Sequence, residues 1–287
     1  MKQGNIGGQA VLEGVMLRSP SRQAVAVRTA SGEIVTNVSP LVPLAKRWPV
    51  LGFPLIRGVV ALYESMSGAI SSLAMSANLA EPEEQVTPLQ LTLVAVVSLA
   101  LGVGLFFLLP AVLVNPLARI CGQGSFLLNL LESIVRIILF ISYLLLVGLS
   151  KDIRRTFEYH GAEHKTIMCW EQDKPLTAQA AATCSRFHPR CGTSFLLLVV
   201  VLSILVFSLF SPPNLWAKLG LRLALLPLLA GLSYELIKWT AKSASLVARL
   251  LLAPGLALQR LTTREPDAGQ LEVALAALAG VIDPGEE

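Results

Sequence analysis

Charge is scarce in this 287-residue chain. Asp, Glu, Lys and Arg together supply 15% of it, against about 25% in an average globular domain. With 54% apolar residues and a mean hydropathy of +0.64, that shortage excludes an ordinary soluble globule. Nucleotide-binding loops are missing too. The glycine-rich start "GNIGGQAVLEGVMLRSP" is followed by no Gly-Lys-Ser/Thr and lacks the GxGxxG spacing, so its glycines at 4, 7, 8 and 14 signify turns or close backbone approach. The stretch "MKQGNIGGQAVLEG" contains no apolar h-region, and no signal peptide is expected. Histidine is the rarest functional side chain. All three, His160, His164 and His188, fall within one short polar stretch.

What the chain has in quantity is apolar sequence, in blocks approaching the roughly 20 residues a helix needs to cross a bilayer. Four are expected to span: Leu89 to Val114, Phe126 to Leu149, Phe195 to Phe210 and Leu215 to Ile237. The predicted fold is mainly α, a polytopic helical membrane protein with a small cytoplasmic α+β portion. Residues 1–88 form a cytoplasmic N-terminal region and 89–149 the first two spans. Residues 150–194 are a cytoplasmic His/Cys segment, 195–237 the last two spans, and 238–287 cytoplasmic helices. Lys and Arg set the orientation: seven lie in 1–88, seven in 150–194 and five after Ile237, against Arg119 and Lys218 in the two opposite links. Both termini are therefore expected in the cytoplasm of a bacterial inner membrane. The bilayer is the partner this implies, and a protein partner or second copy stays open. The net charge of +4 calls for no nucleic acid, because the basic residues flank spans. Cys169, Cys184 and Cys191 fall on the reducing side, where clustered Cys and His favour metal or catalysis over disulfides. Cys121 stands alone on the far side and is read as inert.

Locally, "QAVAVRTASGEIVTNV" (23–38) predicts a β hairpin. Arg57 to Asn78 predicts a helix rich in small residues that is either interfacial or packed in the bundle. "EPEEQVTP" (81–88) is an acidic linker, and Asp267 is placed to cap a last helix after Pro266.

The chemistry concentrates in "YHGAEHKTI" and "CSRFHPRCGTS". His160, Glu163 and His164 read H-x-x-E-H, so one helix face carries both imidazoles and Glu163 is placed as a general base, the order found in inverzincin metallopeptidases. Gly161, between the histidines, is expected to weaken that helix. Cys184, His188 and Cys191 add a C-x3-H-x2-C spacing that suits zinc or another divalent metal. The expected ligands are His160, His164, His188 and Cys191, with Cys184 as a substitute. Glu13 or Arg18 could complete the site, and Glu235, about 70 residues beyond His164, is a further candidate by spacing alone. Glu132 and Arg136, four apart inside a span, are expected to pair, and intramembrane ionisable groups are functional candidates. Arg222 and Glu235 sit toward span ends, where they could snorkel.

"GGQAVLEGVMLR", "RTFEYHGAEHKTI", "HPRCGTSF", "GLSYEL" and "LTTREP" together resemble the YqhQ family of bacterial membrane proteins. The resemblance implies a polytopic membrane protein described as a predicted metal-dependent enzyme, with no established substrate. The leading expectation is a cytoplasm-facing, zinc-dependent hydrolase. The alternatives are a scaffold or partner-binding protein with a structural metal, or a small-solute or lipid-handling protein using Glu132 and Arg136.

Overall fold

The computed structural model of the protein describes residues 6–80, 85–122, 126–210, 212, 214–240, 243 and 245–282. Gly4, the first four residues of the acidic linker (81–84) and the side chain of Cys121 lie outside the described residues.

Four antiparallel strands open the fold as a meander: β1 (Gly7–Val11), β2 (Gly14–Arg18), β3 (Arg22–Arg28) and β4 (Ile34–Pro40). β3 and β4 are the expected hairpin, and the glycine-rich stretch forms a second one. Its tight turn needs Glu13 at φ 49°. It also needs Gly14, where a Cβ would lie 2.3 Å from the Ala26 carbonyl oxygen. Because strand side chains alternate between faces, Val15, Leu17, Ala24 and Ala26 share one face and pack on Tyr159, Leu271 and Leu278. Val11, Met16, Val25 and Val27 share the other and pack on Met75 and Leu79.

Helices follow. α1 (Leu44–Arg47) is a single turn, and α2 (Ile56–Ala80) is the small-residue helix. Its first half meets α10 so closely that a Cβ on Gly58 would lie 2.9 Å from the Gly231 Cα. Its last turns carry the Met75 and Leu79 that cover the sheet. It is thus packed at both ends. α3 (Pro88–Val103) starts on a Thr87–Gln90 capping box with Pro88 in its first turn. It continues through a π-helical turn at Gly104–Leu108 into α4 (Leu109–Val114) and α5 (Ala118–Cys121). α6 (Phe126–Val147), α7 (Lys151–Glu171), α8 (Ala178–Ala182), α9 (Gly192–Ser208), α10 (Leu215–Thr240), α11 (Leu246–Thr262) and α12 (Ala268–Val281) complete the chain. Asp267 caps α12 through the Gln270 N–H at 2.7 Å, as expected.

Among the described residues, three helical segments are long and apolar enough to cross a membrane: Leu89–Ile120, Leu127–Val147 and Leu215–Thr240. The other expected span is α9, largely apolar but only 17 residues long. Large apolar side chains such as Leu93, Leu101, Leu146 and Leu205 stand exposed along these helices.

Two expectations change. Gly161 does not break α7, which runs unbroken from Lys151 to Glu171. The glycine is there because the Arg264 carbonyl presses on the helix, and a Cβ would lie 2.0 Å from that oxygen. Gly161→Ala is therefore expected to lower stability by about 1–3 kcal/mol, the usual range for overpacking. Gly220→Ala, whose Cβ would meet nothing within 4 Å, should lower it little or not at all; thermal melting of the two variants checks both. The second change concerns Arg222, which turns inward instead of snorkelling and is 2% exposed. Glu132 pairs with Arg136 at 2.9 Å as expected, but Arg222 also binds that carboxylate and Lys218 reaches it at 2.7 Å.

Candidate metal centre

The centre begins on α7. An unbroken helix places His160 and His164 one turn apart, with ring centroids separated by 4.4 Å. Each Nδ1 sits on a backbone carbonyl, His160 on Thr262 O at 2.8 Å and His164 on Arg186 O at 2.6 Å. A carbonyl only accepts, so each Nδ1 carries the proton and each Nε2 keeps its lone pair. This is the outer-shell arrangement that orients metal-binding imidazoles.

Those lone pairs meet Cys191. Its Sγ lies 3.3 Å from His160 Nε2, and one donor atom from each of His160, His164 and Cys191 falls within 4.8 Å of the others. Cys191 is the N-cap of α9 and accepts the Thr193 N–H at 3.4 Å, so the positive end of a helix faces the sulfur. Two nitrogens and a sulfur match the donor preference of zinc.

Glu163 lines the same small cavity, of about 40 Å³, with Gly8, His188 and the three donors. That space suits a single ion or water. The Gly8 N–H donates to the carboxylate, and a Cβ on Gly8 would lie 3.3 Å from Glu163 Oε1. Oε2 is buried with no hydrogen-bond partner among the described residues. Burial pushes the Glu163 pKa up against the pull of His160, His188 and the Gly8 N–H. Burial likewise pushes His164 and His188 down, which favours neutral imidazoles.

His188, expected as a ligand, stands outside the donor group. Its Nε2 faces Glu171 Oε2 at 3.3 Å, and its Nδ1 accepts the Arg190 N–H at 3.3 Å. Both nitrogens are engaged, and its ring lies 5.7 Å from that of His164. The other candidates are committed elsewhere. Cys184 takes the Lys174 ammonium at 3.5 Å. Glu13 is held by Arg155 at 2.6 Å and by the Tyr159 hydroxyl at 3.2 Å. Arg18 donates to Gln23 at 2.7 Å and to the Glu64 carbonyl at 3.1 Å. Glu235 is bound by Arg57 at 2.6 Å, so a spacing of 70 residues from His164 did not bring it to the centre.

A family model described as "Protein of unknown function (DUF1385)" matches residues 53–284. The chain belongs to this family. It is similar to "Uncharacterized protein YqhQ" of Bacillus subtilis (strain 168), with 34% identity over 285 residues covering 94% of this chain and 89% of the relative. No solved structure matches. Neither description names an activity, so the chemistry has to be read from the residues.

Several residues that build the centre in this DUF1385 member carry no metal-ligand pattern of their own. Gln259 is fully buried on α11 and grips the His188 backbone from both sides: it accepts the amide N–H and donates to the carbonyl, each at 2.8 Å. That clamp fixes the loop leading to Cys191. Arg186 donates to Thr263 Oγ1 at 2.9 Å, which holds the carbonyl that receives His164. The "LTTREP" and "GGQAV" stretches were visible as motifs. Their contribution is a set of backbone atoms (Thr262 O, Arg264 O, Gly8 N–H), which side-chain chemistry cannot announce.

Proposed function

We propose that this is a multi-pass protein of the bacterial inner membrane whose His160–His164–Cys191 centre faces the cytoplasm, holds one divalent ion, and supports hydrolysis. The observation that carries it is the locking of both Nδ1–H groups on backbone carbonyls, which leaves two Nε2 lone pairs beside one thiol. His160 Nε2, His164 Nε2 and Cys191 Sγ would hold the ion, zinc by donor type. Bound there, zinc would supply Lewis acidity and an activated water. Three protein donors would match the ligand count of catalytic rather than structural zinc sites.

The chain's own residues divide the remaining work. Glu163, whose buried Oε2 has no partner among the described residues, takes a proton as general base. The Gly8 N–H orients its carboxylate. Glu171 and Gln259 hold His188 and its loop so that Cys191 stays at the head of α9. The exposed apolar belt of the long helices supports insertion in a bilayer, and the Lys and Arg distribution supports the orientation. The small volume of the cavity favours a second reading, in which the ion ties the α7 segment to α9 in a non-enzymatic scaffold.

Metal analysis of the purified protein tests the centre. About one zinc per chain is expected, with His164→Ala or Cys191→Ala falling below a tenth of that and His188→Ala retaining most of it. Equal metal content in wild type and His164→Ala would remove the centre and both readings built on it.

A further inference from the structure

The last turn of α6, one of the helices long and apolar enough to cross a membrane, forms part of a cavity of about 350 Å³. Its walls divide by chemistry. Leu145 and Leu149 supply apolar surface at the end of the span, while Arg154, Arg186, Arg260 and Arg264 bring four guanidinium groups from α7, the loop before His188, α11 and the segment after it. Glu265 is the carboxylate among the described lining residues. It is already shared, lying 3.2 Å from Arg186 and 2.9 Å from Lys165. No carboxylate among the described residues pairs with Arg154, Arg260 or Arg264. Arg264 Nε is buried with no hydrogen-bond partner among them. The cavity therefore holds a surplus of positive charge. Beyond its apolar edge, Leu145, Leu146 and Leu149 stand exposed.

From this juxtaposition we infer that the cavity binds a phosphate group, carried by an anionic phospholipid whose acyl chains lie along the exposed leucines at the end of α6. Guanidinium groups match phosphate oxygens in a two-pronged geometry, and a buried, unpaired Nε–H is a cost that such an oxygen would relieve. A volume near the lower end of the roughly 300–1,000 Å³ of ligand pockets admits a head group and leaves the acyl chains outside, against the apolar helices. Basic residues that only snorkel need reach no further than water. These four instead line one cavity beside a span, the chemistry that holds anionic head groups on the cytoplasmic side of membrane helices. The inference draws on the membrane insertion and orientation proposed above, and on neither the metal nor hydrolysis.

The test titrates the delipidated full chain in neutral detergent micelles with tritiated phosphatidylglycerol. Selective binding should saturate at about one lipid per chain. Unlabelled phosphatidylglycerol should displace it, while phosphatidylcholine with the same acyl chains and inorganic phosphate should not. Arg154→Gln combined with Arg260→Gln, at two exposed positions, should weaken it by roughly 30-fold, the scale for two basic residues near an anionic head group. Lys46→Gln combined with Arg47→Gln, which removes the same charge from exposed positions on α1, should leave it unchanged. Zinc content should not differ between wild type and either variant. Binding that never saturates, or that phosphatidylcholine displaces equally well, would overturn the inference from the wild type alone, whether or not the variants fold. Equal weakening by both pairs of substitutions would overturn it in favour of general surface attraction. Displacement by inorganic phosphate as effective as by phosphatidylglycerol would overturn the lipid in favour of a soluble phosphate. Saturable lipid binding to a protein that holds no zinc would keep this site and discard the metal centre, and zinc without saturable lipid binding would do the reverse.

Discussion

Glu163→Gln is expected to keep the fold and the metal and to lose activity by roughly 100-fold or more, the usual scale of general acid–base catalysis. The substitution preserves the shape of a buried side chain and can still accept from the Gly8 N–H through its amide oxygen. It removes only the capacity to take up a proton at the oxygen that has no partner among the described residues. Since Glu163 is not one of the three converging donors, zinc content should stay within error of wild type. Activity is read as complementation of a deletion strain. Full complementation by Glu163→Gln alongside failure of His164→Ala would make the ion structural and discard the hydrolase.

A comparably large effect, on stability rather than chemistry, is expected at Glu132. This 2%-exposed carboxylate receives Arg136, Arg222 and Lys218, whose side chains are 1%, 3% and 14% exposed. The cations have further partners. Arg136 donates to the Phe106 carbonyl at 2.9 Å and to Ser203 at 3.1 Å, and Arg222 donates to the Phe107 carbonyl at 2.9 Å. Both carbonyls belong to the π-helical turn at Gly104–Leu108, where the departure from regular helix lets backbone oxygens serve side chains. These bonds satisfy donors but supply no negative charge. Glu132→Gln would leave three clustered cations without a counter-charge, and losing one partner of a buried ion pair costs about 3–5 kcal/mol. The expected result is a melting temperature lower by about 10 °C in detergent, or failure to accumulate in the membrane. A shift under about 2 °C would mean that solvent already reaches the cluster, since an exposed pair contributes about 1 kcal/mol at most.

The sequence carried the helical content, the β3–β4 hairpin and the pairing of Glu132 with Arg136, because each depends on local periodicity or on a spacing of four. The neighbourhood of His160, His164 and Cys191 was legible for the same reason: two candidate donors lie on one helix face and the third in a short loop that must return to it. His188 shows where spacing stops helping. C-x3-H-x2-C fixes how far a ligand is along the chain but not which way its ring turns, and Glu171 and the Arg190 N–H turn it away from the donor group. Gly161 shows the opposite error. Local propensity treats a mid-helix glycine as a weakness, whereas here a carbonyl more than 100 residues away requires the missing side chain. The inward turn of Arg222 depended on a carboxylate in another helix, which no window along α10 contains.

The carbonyl that fixes the tautomer of His160 belongs to Thr262, 102 residues further along the chain, and Gln259, which clamps the loop before Cys191, lies on the same late helix, α11. During synthesis the two histidines leave the ribosome first, then the cysteine, and the groups that orient them last. Until α11 has emerged, His160 Nδ1 lacks the Thr262 carbonyl and the loop before Cys191 lacks the Gln259 clamp, keeping its contacts to Glu171. The orientation of the three donors therefore depends on a segment made late: two groups that set it, Thr262 and Gln259, follow all three in the chain.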